Sequence, residues 1–455
     1  MTTSFLNAIA PNTVVATIPV GVTPAGLAVT PDSNFVYVAN NNNYGISGVT
    51  SYGITGVDSV SVINANTNLP LTIIYDPSFS EPYTVTINAS GTKAYITNSN
   101  GSTVSIIDIP SNTVIGTIGG FDGPSGFAIT PNQTTAYVNN YGGPEGVMSG
   151  NGKTVRVVDL QTNSIVGSPI TVGTAPAGLG VTPNGAYVYV INYIDGNPGT
   201  GTISIIRTSD NTVVGTIPGF SGPFSIAITP DGSFAYVTNF GSNNFEPYGT
   251  TVSVVDLSSN TIVKTISLGI QPSGLAITPD GRYAYASNYN TLYESPTGFQ
   301  NLTPGQGTVN IIDIASNTVI PPIIAVDQSP ANIAISPNGE FAYVSNYISN
   351  TVNVIALPSF QITATGCMTQ DIFLLQEDFI DMLTWSVTGT SLPVSYSIYR
   401  DAGLTDLVAI IPAAPLLQFL DHNRTPGVTY TYYIIGTNAA GTTSNPVVVT
   451  VSQPC

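Results

Sequence analysis

Apolar and polar residues alternate along most of the chain in short runs that are separated by turn residues. The stretch AITPDGSFAYVTN, which ends at Asn239, shows the pattern: an apolar run, a turn at Pro-Asp-Gly, and an alternating run. Alternation with a period of two predicts β-strands, and a tight turn between two such runs predicts a β-hairpin. The pattern therefore predicts an all-β protein.

The hairpin recurs seven times, and every copy ends in Tyr-x-x-Asn. A third strand such as TVSVVDL and a fourth such as TIVKTI follow the hairpins. Four strands in each repeat are typical of one propeller blade, so the chain predicts a seven-bladed β-propeller over residues 12–360, after an N-terminal arm at residues 1–11. We interpret the asparagines that end the motif as architectural, because every repeat contains one; they are Asn40, Asn98, Asn140, Asn192, Asn239, Asn288 and Asn346.

The ends of the repeat region indicate how the ring closes. Residues 12–20 read NTVVATIPV, which matches the fourth strand NTVVGTIP at residues 211–218, yet they precede the first hairpin. We expect strand 12–20 to complete the last blade, which removes a free sheet edge. Residues 360–365 compete for the same position.

The Tyr-x-x-Asn anchors resemble those of the YVTN β-propeller family, whose tetrapeptide occurs literally as Tyr236-Val-Thr-Asn239. The resemblance covers residues 12–360 and implies a seven-bladed propeller. Some seven-bladed propellers are lactonases or lyases that use histidine or metal-bound carboxylates. Fold alone does not assign such an activity.

Residues 367–455 follow a different pattern, with strands at the spacing of a β-sandwich. Trp385, the Pro426-Gly427 corner before Tyr430, and the turn at residues 438–441 resemble a fibronectin type III domain. The resemblance implies that Tyr430 is the corner tyrosine and that Trp385 anchors the core. The complete fold prediction is a seven-bladed β-propeller with a C-terminal fibronectin type III-like β-sandwich.

Charge narrows the possible partners. The chain has 8 Lys and Arg against 25 Asp and Glu, a net charge of -17, which argues against nucleic-acid binding. No apolar run approaches the length of a membrane span, and no signal peptide is visible at the N-terminus.

The predicted propeller contains no histidine, because His422 in the second domain is the only one in the chain. A histidine-based catalytic site in the propeller is therefore excluded. We interpret His422 as a solvated loop residue. The repeated aspartates Asp108, Asp159, Asp256 and Asp313 precede turns, where a carboxylate accepts backbone N–H bonds, so we interpret them as structural.

Long connections between the second and third strands distinguish the blades and are expected on one face. Aromatic residues in these connections suit contacts with sugars or proteins, although they could equally pack the loops onto the blades. The candidates are Tyr44, Tyr52, Tyr141, Tyr193, Phe240, Phe245, Tyr248, Tyr289, Tyr293 and Phe299. No cofactor is predicted; a weaker hypothesis places Ca²⁺ at the loop carboxylates Asp58, Glu145, Asp195, Glu246 and Glu294.

The two cysteines, Cys367 and Cys455, bracket the second domain. A sandwich with seven strands begins and ends at opposite poles, which disfavours a bridge within the chain. Bridges between chains and two free thiols remain as alternatives.

These observations predict a non-enzymatic structural protein that self-assembles into a fibre, appendage or surface layer. We expect an extracellular or particle-surface location, such as a cell surface, spore coat or virion, and a homo-oligomer or polymer. One alternative is a monomeric adhesin that binds carbohydrate or protein through the loop face. The other is a lactonase- or lyase-type propeller enzyme that uses loop carboxylates.

Overall fold

Every regular element in the computed structural model is a β-strand, among the residues that the structure describes. Two compact units are present, one formed by Val14–Ile355 and one that includes Ala356–Cys455. No helix long and apolar enough to cross a bilayer occurs in the described part of the chain. The described residues are 11–42, 57–142, 151–193, 199–241, 248–290, 306–358, 360–373, 376–389, 393–413, 417–425, 427–438, 443–444 and 446–452.

The first unit consists of seven antiparallel four-stranded sheets, which confirms the predicted β-propeller. Blade 1 contains β2 (Pro24–Val29), β3 (Phe35–Asn40), β4 (Ser59–Asn64) and β5 (Leu69–Ile74); blade 2 contains β6 (Pro82–Ile87), β7 (Lys93–Asn98), β8 (Thr103–Asp108) and β9 (Thr113–Gly119). Blade 3 contains β10 (Pro124–Ile129), β11 (Thr135–Asn140), β12 (Thr154–Asp159) and β13 (Ser164–Thr171); blade 4 contains β14 (Pro176–Val181), β15 (Tyr187–Asn192), β16 (Gly201–Arg207) and β17 (Thr212–Phe220). Blade 5 contains β18 (Pro223–Ile228), β19 (Phe234–Gly241), β20 (Tyr248–Asp256) and β21 (Thr261–Ser267); blade 6 contains β22 (Pro272–Ile277), β23 (Tyr283–Asn288), β24 (Gln306–Asp313) and β25 (Thr318–Gln328).

Blade 7 joins the beginning of the repeat region to its end. It contains β26 (Pro330–Ile335), β27 (Phe341–Asn346), β28 (Thr351–Ala356) and, as its outermost strand, β1 (Thr13–Pro19). The Asn12 N–H continues the pairing and donates to the Ala356 carbonyl at 2.7 Å. The strand next along the chain, β29 (Phe360–Phe373), pairs in a different sheet.

Burial follows the position of a strand within its blade. The second strand of every blade is buried almost throughout, because neighbouring blades cover both of its faces; Val237 of β19 is 0% exposed. Outermost strands such as β9 alternate between exposed and partly buried residues. The apolar side chains of adjacent blades share clusters, as Tyr95 of blade 2 and Phe127 of blade 3 do, with ring centroids 4.8 Å apart.

The tyrosine of the Tyr-x-x-Asn motif connects each of four blades to the next. The Tyr236 hydroxyl of blade 5 donates to Oδ1 of Asn317, in a turn of blade 6, at 2.5 Å. Asn317 has a φ of 53°, a left-handed conformation that asparagine tolerates better than most residues. The same bond joins Tyr37 to Asn112, Tyr137 to Asn211 and Tyr189 to Asn260.

The second unit contains two antiparallel sheets. One has the order β29–β30–β33, with β30 (Gln376–Gly389) and β33 (Gln418–Asp421). The other has the order β32–β31–β34–β35, formed by Leu407–Pro412, Pro393–Tyr399, Tyr430–Asn438 and Val447–Val451 respectively. One hydrophobic cluster includes side chains from both sheets, and within it Trp385 packs edge-on against Tyr396 at 5.3 Å.

A buried charged network lies at one end of this cluster. The Tyr432 oxygen is 2.7 Å from Oδ2 of Asp381 and 2.7 Å from Oδ2 of Asp421. Asp421 is ion-paired with Arg400 at 2.6 Å and with Arg424 at 3.5 Å. Burial and the nearby Asp421 charge raise the pKa of Asp381, against the opposing effects of the Tyr432 hydroxyl and Arg424.

Cys367, on β29, is disulfide-bonded. Cys455, the other of the two cysteines in the chain, lies outside the described residues. β29 packs against β35, since a Cβ atom placed on Gly366 would lie 2.6 Å from a methyl carbon of Val451. We disfavoured a bridge within the chain because we expected the two ends of this domain to lie far apart, and this packing removes that premise. The alternative of two free thiols does not hold for Cys367, which is disulfide-bonded.

We predict that Tyr236→Phe lowers the free energy of unfolding of the propeller by about 1–2 kcal/mol, because it leaves Oδ1 of Asn317 without its donor. Tyr343→Phe is the matched control, since Tyr343 is equally buried and its hydroxyl has no hydrogen-bond partner within the described residues. This control should change stability by less than about 0.5 kcal/mol or increase it. Urea unfolding followed by far-ultraviolet circular dichroism measures both, and equal losses would contradict the interpretation.

We predict that Asp381→Asn stabilises the second unit at neutral pH. Asp381 has a raised pKa in the fold, so the folded state keeps a proton that the unfolded state releases above about pH 4, and stability falls as the pH rises from there to the folded pKa. An amide keeps a donor for Tyr432 without titrating, so the advantage of the variant should grow with pH.

Fluorescence of Trp385, the single tryptophan in the chain, reports the unfolding of this unit alone. Asp421→Asn serves as the contrast and should destabilise the unit by about 3 kcal/mol or more, because it leaves Arg400 without its buried partner. A loss of stability in Asp381→Asn at pH 8 would contradict the raised pKa of Asp381 in the fold.

Candidate functional site

The asparagine of each Tyr-x-x-Asn motif fixes the chain at one end of its blade. Asn239 donates through Nδ2 to the Thr251 hydroxyl and to the Ser253 hydroxyl, both at 2.9 Å, and thereby joins the second strand to the third. All seven motif asparagines donate to a serine or threonine hydroxyl in the first half of the third strand at 2.9–3.1 Å. The interpretation of these asparagines as architectural is confirmed.

The residue after each asparagine is held by a second repeated bond. The Phe240 N–H donates to the Gly222 carbonyl at 2.9 Å, and Gly222 has a φ of 54°. Left-handed residues stand at this position in all seven blades, immediately before the proline that begins the innermost strand. The seven held residues, which we term the mouth residues, are Asn41, Ser99, Tyr141, Tyr193, Phe240, Tyr289 and Tyr347.

The mouth residues of blades 3 to 7 are all aromatic. Phe240 lies 5.2 Å from Phe224 and 6.0 Å from Tyr289, and Tyr289 lies 6.3 Å from Tyr347, measured between ring centroids. Tyr193 and Phe240 are buried and share a cluster with Tyr141. The Tyr193 hydroxyl donates to the Gly241 carbonyl of the next blade at 2.8 Å, which fixes that ring.

The rings of three mouth residues, Phe240, Tyr289 and Tyr347, border a cavity of about 340 Å³ that the innermost strands of all seven blades enclose. We term it the channel cavity. Glycine lets the innermost strands of neighbouring blades approach closely around it: a Cβ atom on Gly26 would meet the Tyr83 carbonyl oxygen at 2.4 Å, and one on Gly274 would meet the Asn332 Cα atom at 2.6 Å. Polar groups on its wall belong to residues such as Ser225 and Asn332, and its aromatic lining includes Tyr83, Phe224, Phe240, Tyr289 and Tyr347.

Blades 1 and 2 bring a carboxylate to this end of the propeller. Oδ2 of Asp58 accepts the Glu81 N–H at 2.9 Å, and Glu81 lies two residues before Tyr83 of the cavity wall. Burial raises the pKa of Asp58, against the opposing effect of the Glu81 N–H. In the blade 7 to blade 1 junction, Oδ1 of Asn350 accepts the Thr23 N–H at 2.7 Å in the same arrangement.

Burial beside Tyr141 and Tyr347 raises the pKa of Tyr83 well above its ordinary value. Its phenol therefore stays protonated across the physiological range and remains a hydrogen-bond donor. The cavity wall thus carries a permanent O–H donor two residues from Glu81, whose N–H binds Asp58.

Four of the ten predicted aromatic residues, Tyr141, Tyr193, Phe240 and Tyr289, lie in the mouth. Tyr248 lies instead on β20, paired with Gly241. The sequence interpretation missed Tyr347, although it too follows a motif asparagine, and it missed Tyr83 and Phe224, which follow the first proline of an innermost strand. Tyr44, Tyr52, Phe245, Tyr293 and Phe299 lie outside the described residues.

The acidic candidates form two groups, the aspartates that precede turns and the carboxylates proposed for Ca²⁺. Asp108, Asp159, Asp256 and Asp313 accept N–H bonds from the turns that follow them, which confirms their structural interpretation. Of the carboxylates proposed for Ca²⁺, only Asp58 is described; Glu145, Asp195, Glu246 and Glu294 are not. The described residues contain no cluster of three or more His, Cys, Asp or Glu side chains placed to hold a metal ion.

His422 is exposed in its loop, as expected.

Comparison with known proteins relates the propeller to an enzyme family. Residues 110–368, more than half of the chain, match the family model described as lactonase, 7-bladed beta-propeller. A curated relative, the PE-PGRS family protein PE_PGRS18 of Mycobacterium tuberculosis, is 45% identical over 60 residues, which is 13% of this chain and 13% of that protein.

Among solved structures, a chain of Kuenenia stuttgartiensis hydrazine synthase is similar with a TM-score of 0.58. It is 19% identical, and the match covers 78% of this chain and 98% of that one. A likeness at this identity supports the propeller fold and carries no information about activity.

The family match overturns the prediction of a non-enzymatic, self-assembling structural protein. That prediction relied on low charge and on the absence of histidine from the propeller, and neither excludes catalysis by carboxylates and tyrosines. The adhesin alternative receives no support. The match favours the alternative of a lactonase- or lyase-type enzyme that uses carboxylates.

Proposed function

The chain belongs to the seven-bladed β-propeller lactonase family, and on that premise we propose that it opens lactone rings at the channel cavity, with Asp58 as the general base. The family match carries the proposal. The cavity supports it, because about 340 Å³ lies within the usual range for small-molecule sites and is bordered by aromatic rings with a few polar groups.

Hydrolysis of a lactone requires a water molecule to attack the ring carbonyl and lose a proton. A carboxylate with a raised pKa is a better proton acceptor than an ordinary aspartate, and burial raises the pKa of Asp58. The Glu81 N–H holds Oδ2 of Asp58 at 2.9 Å, which leaves Oδ1 to receive the proton. Asp58 then returns that proton to the ring oxygen as the carbon–oxygen bond breaks.

The negative charge that develops on the carbonyl oxygen needs a donor. We assign this role to the Tyr83 hydroxyl, which lines the cavity and stays protonated because burial raises its pKa. A neutral donor that is already oriented in a partly dry site stabilises an oxyanion more than water does.

The second unit supports a separate proposal, that it is a fibronectin type III-like sandwich. Its sheets of three and four strands share one core that contains Trp385. The Tyr430 hydroxyl accepts the Thr425 N–H at 3.2 Å, which is the bond of a tyrosine corner. The bonded Cys367 supports an oxidising location for the protein, as in the extracellular or particle-surface placement that we expect.

We predict that Asp58→Asn abolishes at least about 99% of lactone hydrolysis while it preserves the fold, since general base catalysis contributes about 10²–10⁴-fold. The substituted asparagine should keep the local structure, because Oδ1 of Asn350 accepts the Thr23 N–H in the equivalent bond at another junction. The measurement is kcat/KM on a panel of γ- and δ-lactones, with thermal unfolding as the check on folding.

The pH profile supplies the second readout. Ionised Asp58 is the active form, so kcat/KM should rise with pH through the raised Asp58 pKa, above the ordinary value of about 4. Asp122→Asn is the matched control, because Asp122 is an exposed acid in a junction between blades and should leave kcat/KM within about twofold. Full activity in Asp58→Asn would refute the assignment.

A further inference from the structure

We propose that the channel cavity selects a ligand with a positively charged, methylated ammonium group, which binds against the faces of its aromatic rings. If the ligand is the substrate, the proposal rests on the proposed function and makes it more specific, because the lactone would then carry the ammonium group next to its ring. The binding site itself does not depend on catalysis.

Ring orientation is the first argument. Tyr95 and Phe127 lie parallel, with an angle of 10° between their planes, so each covers the face of the other. Two neighbouring pairs of rings in the mouth do not stack in this way. Phe240 and Tyr289 are tilted by 58°, and Tyr289 and Tyr347 by 52°, so these pairs leave ring faces uncovered by one another.

Exposure is the second argument. Phe224, Tyr289 and Tyr347 line the cavity and are only partly buried, whereas Phe240 is 5% exposed. A protein rarely leaves several aromatic rings together and accessible unless the patch binds something. The negative faces of such rings attract cations, and enclosure strengthens the attraction because the cation loses competing water.

Charge is the third argument, and it separates a cation from a neutral or anionic ligand. Among the described residues that line the cavity, none is a lysine or an arginine. The whole chain carries a net charge of -17, and Asp58 lies at the same end of the propeller as the rings. A cavity with walls of low dielectric constant concentrates such a field and favours the entry of a cation.

Isothermal titration with choline and with 3,3-dimethylbutan-1-ol tests the binding proposal, because the second probe has the same shape without the charge. We expect choline to bind at least about tenfold more tightly, since an enclosed cation–π contact exceeds its neutral counterpart by that factor. Equal affinity of the two probes, or no binding of choline, would overturn the proposal.

Two variants locate the site. Tyr289→Leu should weaken choline binding about tenfold, and Tyr289→Phe, which keeps the ring, should stay within about threefold of the natural chain. Both variants are compared by thermal unfolding, so that a failure to fold is recognised. If the leucine variant is folded and binds choline as tightly as the natural chain, the rings are not the site.

A pair of substrates separates this proposal from the proposed function. The pair is γ-butyrolactone with a trimethylammonium group on carbon 2, and the same lactone with a tert-butyl group there. A kcat/KM at least about tenfold higher for the charged lactone supports both proposals. Hydrolysis that depends on Asp58 but ignores the charge supports the proposed function and overturns the ligand class. Preferential choline binding without hydrolysis of any lactone supports the site and refutes the activity.

Discussion

Each of four blades is fastened to the next by one buried tyrosine hydroxyl, which donates to an asparagine in a left-handed turn of the neighbouring blade. The contact is demanding on both sides. The tyrosine must lie on the second strand, where two blades cover it, and the turn must admit a positive φ at the position of its acceptor. At these four junctions the tyrosine side chain spans the gap between the second strand of one blade and the turn of the next.

The mouth depends on this arrangement. Three residues after the tyrosine, the motif asparagine ties the second strand to the third, and the next residue is bonded to the left-handed residue of the adjoining junction, as Phe240 is to Gly222. Its backbone is therefore fixed whatever its side chain is. The position can carry Asn41 in one blade and Tyr347 in another without disturbing the ring, and this freedom allows a symmetric framework to hold an asymmetric site.

The two units provide partners for their buried polar groups in different ways. The propeller uses neutral amides and hydroxyls, which a chain with 7% charged residues has in abundance. The second unit instead buries Asp381 and Asp421 around Tyr432, and two arginines pair with Asp421. A neutral network is insensitive to pH, whereas a carboxyl group with a raised pKa makes stability depend on pH.

The sequence alone determined the repeat, the all-β class and the structural role of the motif asparagines, because these follow from local periodicity and from turn chemistry that each blade repeats. It also indicated four of the aromatic mouth residues, but for their place in loops and not for the bond that fixes them. Tyr83 and Phe224 could not be found in this way, since they lie on innermost strands that read like any other strand. Only the closed ring, which brings residues from all seven blades around one cavity, decided that these rings and Asp58 stand at the same end of the molecule.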